Sequence, residues 1–427
     1  MNTDGIFPAL DITALWERDL VSREGDDTAL VIRIRAAQRP PARAKRAPID
    51  IAFALDRSGS MAGRDKIDLV KDAVVAATHH LSAEDRVALV VFDNVVDVLH
   101  ELSEATDFGK RRLEHVLEGV MARGGTNLSG GWLTACQQLA STPESMAAPR
   151  LQRSLLLTDG LANQGITAPD ELMTHALELR RRGIDTTTIG VGLHFDEFLL
   201  GGMAEAGGGA FQYIADTSEL FAFFEKEIGG LIDAVASRPR LSITFPDGVR
   251  GWLVNAFPVD REGKTITVDL RDLASGDEVA LVFDVSVRPG ARSEDLVPMI
   301  ALEWQQPGSR ERSGLHREAP ALRLTDPAEA RHAPRNDDAA EAVAMERSAR
   351  DHREAIRLDR EGRFRESRRR FQESADRLAQ APETIAIREE RAVSMRMASM
   401  VEEPLDEHTR KQRVFETQRR SRGGRRP

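Results

Sequence analysis

Three short segments of the chain carry oxygen-bearing side chains at spacings that suit a hard cation. DRSGSM supplies Asp56, Ser58 and Ser60, the GGTN turn supplies Thr126, and the TDG turn supplies Asp159. Magnesium takes about six oxygens in near-octahedral geometry and gives up its waters reluctantly, so proteins hold it with a few carboxylates and hydroxyls and leave positions open. Two carboxylates and three hydroxyls meet that demand, and Mn²⁺ or Ca²⁺ would accept the same oxygens. Taken singly, Ser58, Ser60 and Thr126 read as ordinary turn formers or helix N-caps. The assignment rests on all five reaching one place.

The surrounding pattern supplies the means. IDIAFALD (49–56) is an apolar run of strand length ending at Asp56, followed by a helix with Ile67, Val70, Val74, Ala77 and Leu81 at helical spacing. SLLLTD (154–159) is a second such run, ending at Asp159. In an open parallel sheet, ligands bind beyond the carboxyl ends of the strands, so both aspartates are delivered to one rim. RVALVVFD (86–93), an antiparallel edge at 95–102, TTTIGVG (186–192) and AFQYIA (210–215) extend the sheet. Helices near 107–120, from 129, at 169–182, near 196–206 and to about 235 alternate with them. This alternation predicts a six-stranded doubly wound α/β sheet covered on both faces.

On these residues the chain resembles a von Willebrand factor A domain over about 46–235, with DRSGS, Thr126 and Asp159 matching that family's metal-ion-dependent adhesion site. The resemblance implies a Rossmann-like fold. It also implies that the hydroxyls of Ser58, Ser60 and Thr126 coordinate Mg²⁺ directly, while Asp56 and Asp159 bind it directly or through water. Ligation in that family shifts the last helix of the domain, here near 217–235. The whole chain is similar to bacterial proteins related to the inter-alpha-trypsin inhibitor heavy chains and the calcium-activated chloride channel regulators.

Beyond 236 the period changes from helix to strand. LSITF, WLVNAF, TITVDL, VALVFDVSV, MIALEW and ALRLT, spaced by turns, predict a β-sandwich over 236–330. ALVIRIRA (29–36) alternates in the same way and cannot be stable alone. Residues 1–45 are therefore expected to pair with the later strands, so that the α/β domain is inserted into the sandwich, with 37–48 as linker. Residues 335–403 read as a helical region containing a hairpin of tetratricopeptide type broken at Gly362, with Phe371, Ala375 and Leu378 on its apolar face. Such a unit must pack on the sandwich or on a partner. Residues 404–427, basic and poor in apolar side chains, read as a disordered tail.

With 59 Lys and Arg against 69 Asp and Glu, the formal charge is −10, which argues against nucleic acid or an anionic membrane as the general partner. Only the arginine-rich tail suggests an exception. No basic leader precedes a long apolar core and no run approaches the length of a membrane span. The single cysteine, Cys136, permits no internal disulfide and suits a cytoplasmic location. No phosphate loop of GxxxxGK[ST] type, HExxH or GxSxG appears, and the adjacent His79 and His80 cannot fill a zinc shell. These observations point away from an enzyme and toward a binding module. In that reading Mg²⁺ presents an open position that a partner protein completes with Asp or Glu. The alternative is a regulatory or substrate-loading subunit of a separate enzyme, such as an AAA+ ATPase of MoxR or chelatase type. The residues specify neither a particular partner nor an oligomeric state.

Overall fold

The structure, a computed structural model, describes residues 9–38, 46–140, 149–216, 219–290, 294–400 and 404–421. The linker residues 39–45 and the final residues 422–427 lie outside these.

The chain opens with β1 (Leu10–Trp16), β2 (Leu20–Ser22) and β3 (Asp26–Ala36), then enters the α/β domain at β4 (Ile49–Asp56). The parallel strands β4, β5 (Arg86–Phe92), β7 (Leu151–Thr158), β8 (Ile184–Val191) and β9 (Gly208–Ile214) and the antiparallel edge β6 (Val96–Glu104) form one sheet, in the order β6-β5-β4-β7-β8-β9. Helices Lys66–His79, Asp107–Glu118 and Glu219–Ile232 serve one apolar core with Ile51, Phe53 and Leu55. Helices Leu128–Ala140, Pro169–Arg182 and Glu197–Ala206 serve the other, with Ala52, Ala54 and Phe92. Every residue of β4 is buried, as a strand covered on both faces requires.

Helix Glu219–Ile232 gives way, after one residue, to β10 (Ala234–Thr244). The strands that follow are β11 (Val249–Leu253), β12 (Val259–Glu262), β13 (Thr265–Asp269), β14 (Leu273–Ala274), β15 (Glu278–Val287), β16 (Asp295–Leu296), β17 (Met299–Gln305), β18 (Arg312–Glu318) and β19 (Leu322–Thr325). They build sheets of order β1-β3-β15-β11 and β12-β13-β10-β17-β18, with β14 beside β10, and a small β16-β19-β2 sheet. β3 pairs with β15 from Glu278↔Arg35 to Val287↔Asp26. The N-terminal strands thus join the later ones around a single core in which Leu30, Ile32 and Ile34 meet Leu241, Ile243 and Leu302. The reverse face of β3, with Ala29 and Val31, is covered by Ala339 and Val343 of helix Asp337–Arg360.

The C-terminal region departs from expectation. Helices Asp337–Arg360, Phe364–Leu378 and Ile385–Met400 form the helical region, and the break falls at Gly362, whose φ is +75°. Their apolar faces pack mainly on the α/β domain: Ala355, Ile356, Phe371 and Met397 share a core with Phe195, Phe211 and Tyr213. The expected disordered tail is corrected over most of its length, because Glu407–Ser421 is a helix. Val414 and Phe415 are buried, and Phe415 meets Phe211 edge-on at 6.4 Å between ring centroids. Its basic residues find carboxylates: Arg410 and Lys411 bind Glu197, and Arg413 and Arg420 bind Glu390. Among the described residues, no helix is long and apolar enough to cross a membrane.

Candidate metal centre

β4 and β7 run parallel in register, Leu55 opposite Leu157, so their carboxyl ends release Asp56 and Asp159 side by side. The turn after β4 is fixed by its own aspartate: Asp56 Oδ1 accepts the Ser58 backbone N–H at 2.7 Å, and Oδ2 accepts the Thr158 hydroxyl at 2.5 Å. Ser58 Oγ lies 3.0 Å from Ser60 Oγ, which in turn donates to Asp159 Oδ1 at 2.5 Å. Thr126 arrives from the neighbouring loop, where its backbone N–H donates to Asn163 Oδ1 and its carbonyl accepts the Asn163 N–H. Gly59 N donates to Gly124 O, tying the two loops together.

All five residues read from the sequence therefore meet. Asp56, Ser58, Thr126 and Asp159 are buried, and Ser60 opens to solvent. Gly160 shows how tightly: a Cβ at that position would lie 3.3 Å from Thr126 Oγ1, 3.7 Å from Ser60 Oγ and 3.8 Å from Asp56 Oδ2. The oxygens surround one small space beside Gly160 that a methyl group would enter. Hydroxyl and carboxylate donors converging without nitrogen or sulfur are the set a hard divalent cation prefers. Among the described residues, no cluster of three or more His, Cys, Asp or Glu that could hold a metal is found; here two carboxylates are joined by three hydroxyls.

Several supporting residues gave no signal in the sequence. Thr158, one residue before Asp159, donates its hydroxyl to the other aspartate, Asp56, 102 residues back in the chain. Arg57, inside the DRSGS motif, is buried and binds Asp93 at 2.9 Å, while Arg123 binds the same carboxylate at 2.7 Å. Asp93 O also accepts the Asn127 N–H, so this ion cluster pins the loop bearing Thr126. The third is Lys66, whose Nζ lies 2.5 Å from Asp159 Oδ2. Nothing in local spacing joins Lys66 to a turn 93 residues on.

Lys66 places a fixed positive charge where a cation would draw on the same carboxylate, and the two oppose each other. Lys66→Met is expected to tighten Mg²⁺ binding about tenfold and to lower the melting temperature of the metal-free chain, since Asp159 then stays buried without its ammonium. Calorimetry and thermal melts would read both; weaker metal binding would show that Lys66 only holds Asp159 in place.

Burial pushes the Asp56 carboxyl up to about 6 from 3.8, against the pull of hydrogen bonds from Thr158 and Ser58, with the Asp159 charge adding to the rise. A metal needs this group ionised, so protons compete with it below that value. Metal affinity is expected to fall about tenfold per pH unit below about 6 and to level off above about 7. Without metal the sign is opposite. Because the folded value lies above the unfolded one, ionising Asp56 costs folding energy, and the metal-free chain loses stability as pH rises from about 4 through 6. Titrations and melts between pH 5 and 8, with and without Mg²⁺, check both halves.

Cys136 is buried, and burial pushes its thiol up to about 12, so it belongs to the core.

Residues 50–226 match the sequence profile of the von Willebrand factor type A domain. YfbK of Escherichia coli is 24% identical over 255 residues, covering 58% of this chain and 43% of that protein. The human inter-alpha-trypsin inhibitor heavy chain H3 is 27% identical over 248 residues, 52% of this chain and 28% of that one. This chain thus spans less than half the length of either relative. Among solved structures, a von Willebrand factor type A protein from Catenulispora acidiphila superposes with a TM-score of 0.73 at 16% identity over 99% of both chains. The ArnB paralog VWA2 from Sulfolobus acidocaldarius gives 0.63 at 16% identity, over 97% of this chain and 99% of that one. At these identities the likeness is one of fold.

Proposed function

Residues 50–226 are a von Willebrand factor type A domain, and from that premise we propose that the chain is a divalent-metal-dependent protein-binding module. The observation that carries the reading is the convergence of Asp56, Ser60 and Thr126 oxygens on the space beside Gly160, with Asp159 tied to Ser60. Ser58, Ser60 and Thr126, with Asp56 and Asp159, would hold Mg²⁺, which when bound supplies an open position for an acidic side chain of a partner protein. A carboxylate is the natural replacement for a bound water on a hard ion. Leu161, next to Gly160 in the chain, is 57% exposed and gives such a partner apolar footing beside the charge.

The domain's last helix, Glu219–Ile232, runs within one residue into β10, an inner strand of the sandwich. That continuity supports a relay from ligation to the sandwich. The arginine-rich tail, in contrast, offers little to a nucleic acid over 407–421, where Arg410, Lys411, Arg413 and Arg420 are engaged with carboxylates of the same chain.

The test is capture of partners with Mg²⁺ present, with EDTA, and with Asp159→Ala. The complex is expected to vanish in EDTA, return with Mg²⁺ or Mn²⁺, be absent with the variant, and weaken only modestly in moderate salt, because an inner-sphere contact is screened little. Replacement of one Asp or Glu of the captured partner should abolish it. A complex indifferent to EDTA would overturn the reading.

A further inference from the structure

At the amino ends of the parallel strands, away from the metal centre, the α/β domain meets the sandwich in a cleft of about 200 Å³. Five arginines line it: Arg180 and Arg181 from the last turn of helix Pro169–Arg182, Arg238 and Arg240 from β10, and Arg312 from β18. Two carboxylates line it with them, Asp269 and Glu303; Asp185, already paired with Arg153 at 3.4 Å, stands close to Arg180 and Arg238, and Asp260 stands close to Arg240. Asp269 is taken by Arg240 at 2.7 Å. Arg181, Arg238 and Arg312 are exposed at the mouth, so among the lining residues arginines outnumber carboxylates five to two in a chain whose net charge is −10.

Two further features single the cleft out. Arg180 and Trp304, 9% and 5% exposed, are among its lining residues, and Arg180 Nη1 and Trp304 Nε1 are buried without a hydrogen-bond partner. Arg180's other terminal nitrogen is satisfied, donating to Leu270 O at 2.7 Å. Buried donors almost always find an acceptor, and each exception calls for a reason. Arg238 has φ +49°, and among the described residues no other non-glycine residue has a positive φ. It sits where the β10–β17 register shifts between Ser237 and Arg240. Backbone strain of this kind collects at ligand sites, and bulges re-aim side chains beside them.

Neutralising the carbonyl end of a helix is the ordinary task of arginines in a last turn. It accounts for Arg181, and for Arg238, which lies against the helix cap at Gly183. It leaves Arg312, contributed by a distant strand, and the unpartnered indole N–H unexplained.

We propose that this cleft binds a phosphate-bearing small anion. Guanidinium forks pair with phosphate oxygens in two parallel hydrogen bonds, and several converging forks suit an anion with more than one charge. A ligand held there would touch both domains and stiffen the junction between them.

The probe is sodium pyrophosphate, titrated calorimetrically into the full chain freed of divalent metal, with inorganic phosphate and citrate as companions. One saturable site per chain is expected, with pyrophosphate binding tighter than phosphate or citrate and raising the melting temperature. The exposed pair Arg181→Ala and Arg312→Ala, made together, should weaken binding at least about tenfold while lowering the melt of the free chain only slightly, by the loss of one exposed last-turn charge at the helix end. Asp56→Ala should leave it unchanged, which separates this site from the metal centre. Absence of saturable binding at millimolar pyrophosphate, unaltered affinity in the double variant, or citrate binding as tightly as pyrophosphate would each overturn the proposal.

Discussion

Asp56→Ala is expected to abolish saturable Mg²⁺ and Mn²⁺ binding, a loss of at least about a hundredfold in affinity, or ~2.7 kcal/mol. The residue combines three tasks. It is one of the two carboxylates of the set, it shapes the turn bearing Ser58 through that residue's N–H, and it anchors Thr158. Single changes of Ser58, Ser60 or Thr126 to alanine remove a neutral donor and should cost only about tenfold each. The fold should survive, because Asp56 ends its strand and its ionised form is already disfavoured by burial. A metal affinity equal to that of the unaltered chain would show the site to be misassigned.

The second large effect lies in the C-terminal helices. Glu390 is buried where Ser348 donates to it at 2.9 Å and Arg413 and Arg420 pair with it. Burial alone would raise its carboxyl, but the two guanidiniums win and hold it well below the usual carboxylate range. Glu390→Ala would remove the buried carboxylate that both arginines share, leaving Arg413 paired with Glu416 of its own helix at 2.9 Å; breaking a buried pair in this way costs about 3–5 kcal/mol. The last helix should detach from the body. Trypsin would then cut between Arg410 and Arg420 at a rate far above that of the unaltered chain, and the melting temperature should fall. The sign with pH follows from the depressed value: the stabilisation is complete above about 4.5, the unfolded value, and is lost only in stronger acid. Equal resistance to trypsin in the variant would show that apolar contacts such as Phe415 with Phe211 hold the helix unaided.

The sequence was readable where neighbours in the chain do the positioning. Ile49–Asp56 announces a doubly covered strand by unbroken apolar character, and the motif residues follow it at once, so strand, rim and ligand set came as one pattern. β3 was likewise legible from its alternation. What escaped notice depends on distant partners. Lys66, Arg57 and Asp93 look like any surface charges until the fold brings carboxylate and cation together. Glu407–Ser421 hides its role for the same reason: its buried face is largely polar, with Lys411, Arg413, Thr417 and Gln418 beside Val414 and Phe415, so no apolar period marks it as a helix, and Glu197 and Glu390 that neutralise it lie far back in the chain. Composition called this stretch disordered because composition cannot count partners.

The pairing of β3 with β15 also sets an order of events during synthesis. Arg33 and its partner Glu278 are 245 residues apart, so at about 5–20 residues per second the strand waits roughly 10–50 s for its mate to leave the ribosome. The whole α/β domain emerges within that interval and can close on its own cores first. Meanwhile Leu30, Ile32 and Ile34 stand on an edge open to any neighbouring chain, and Arg33 and Arg35, interleaved among them, act as charged guards against that capture.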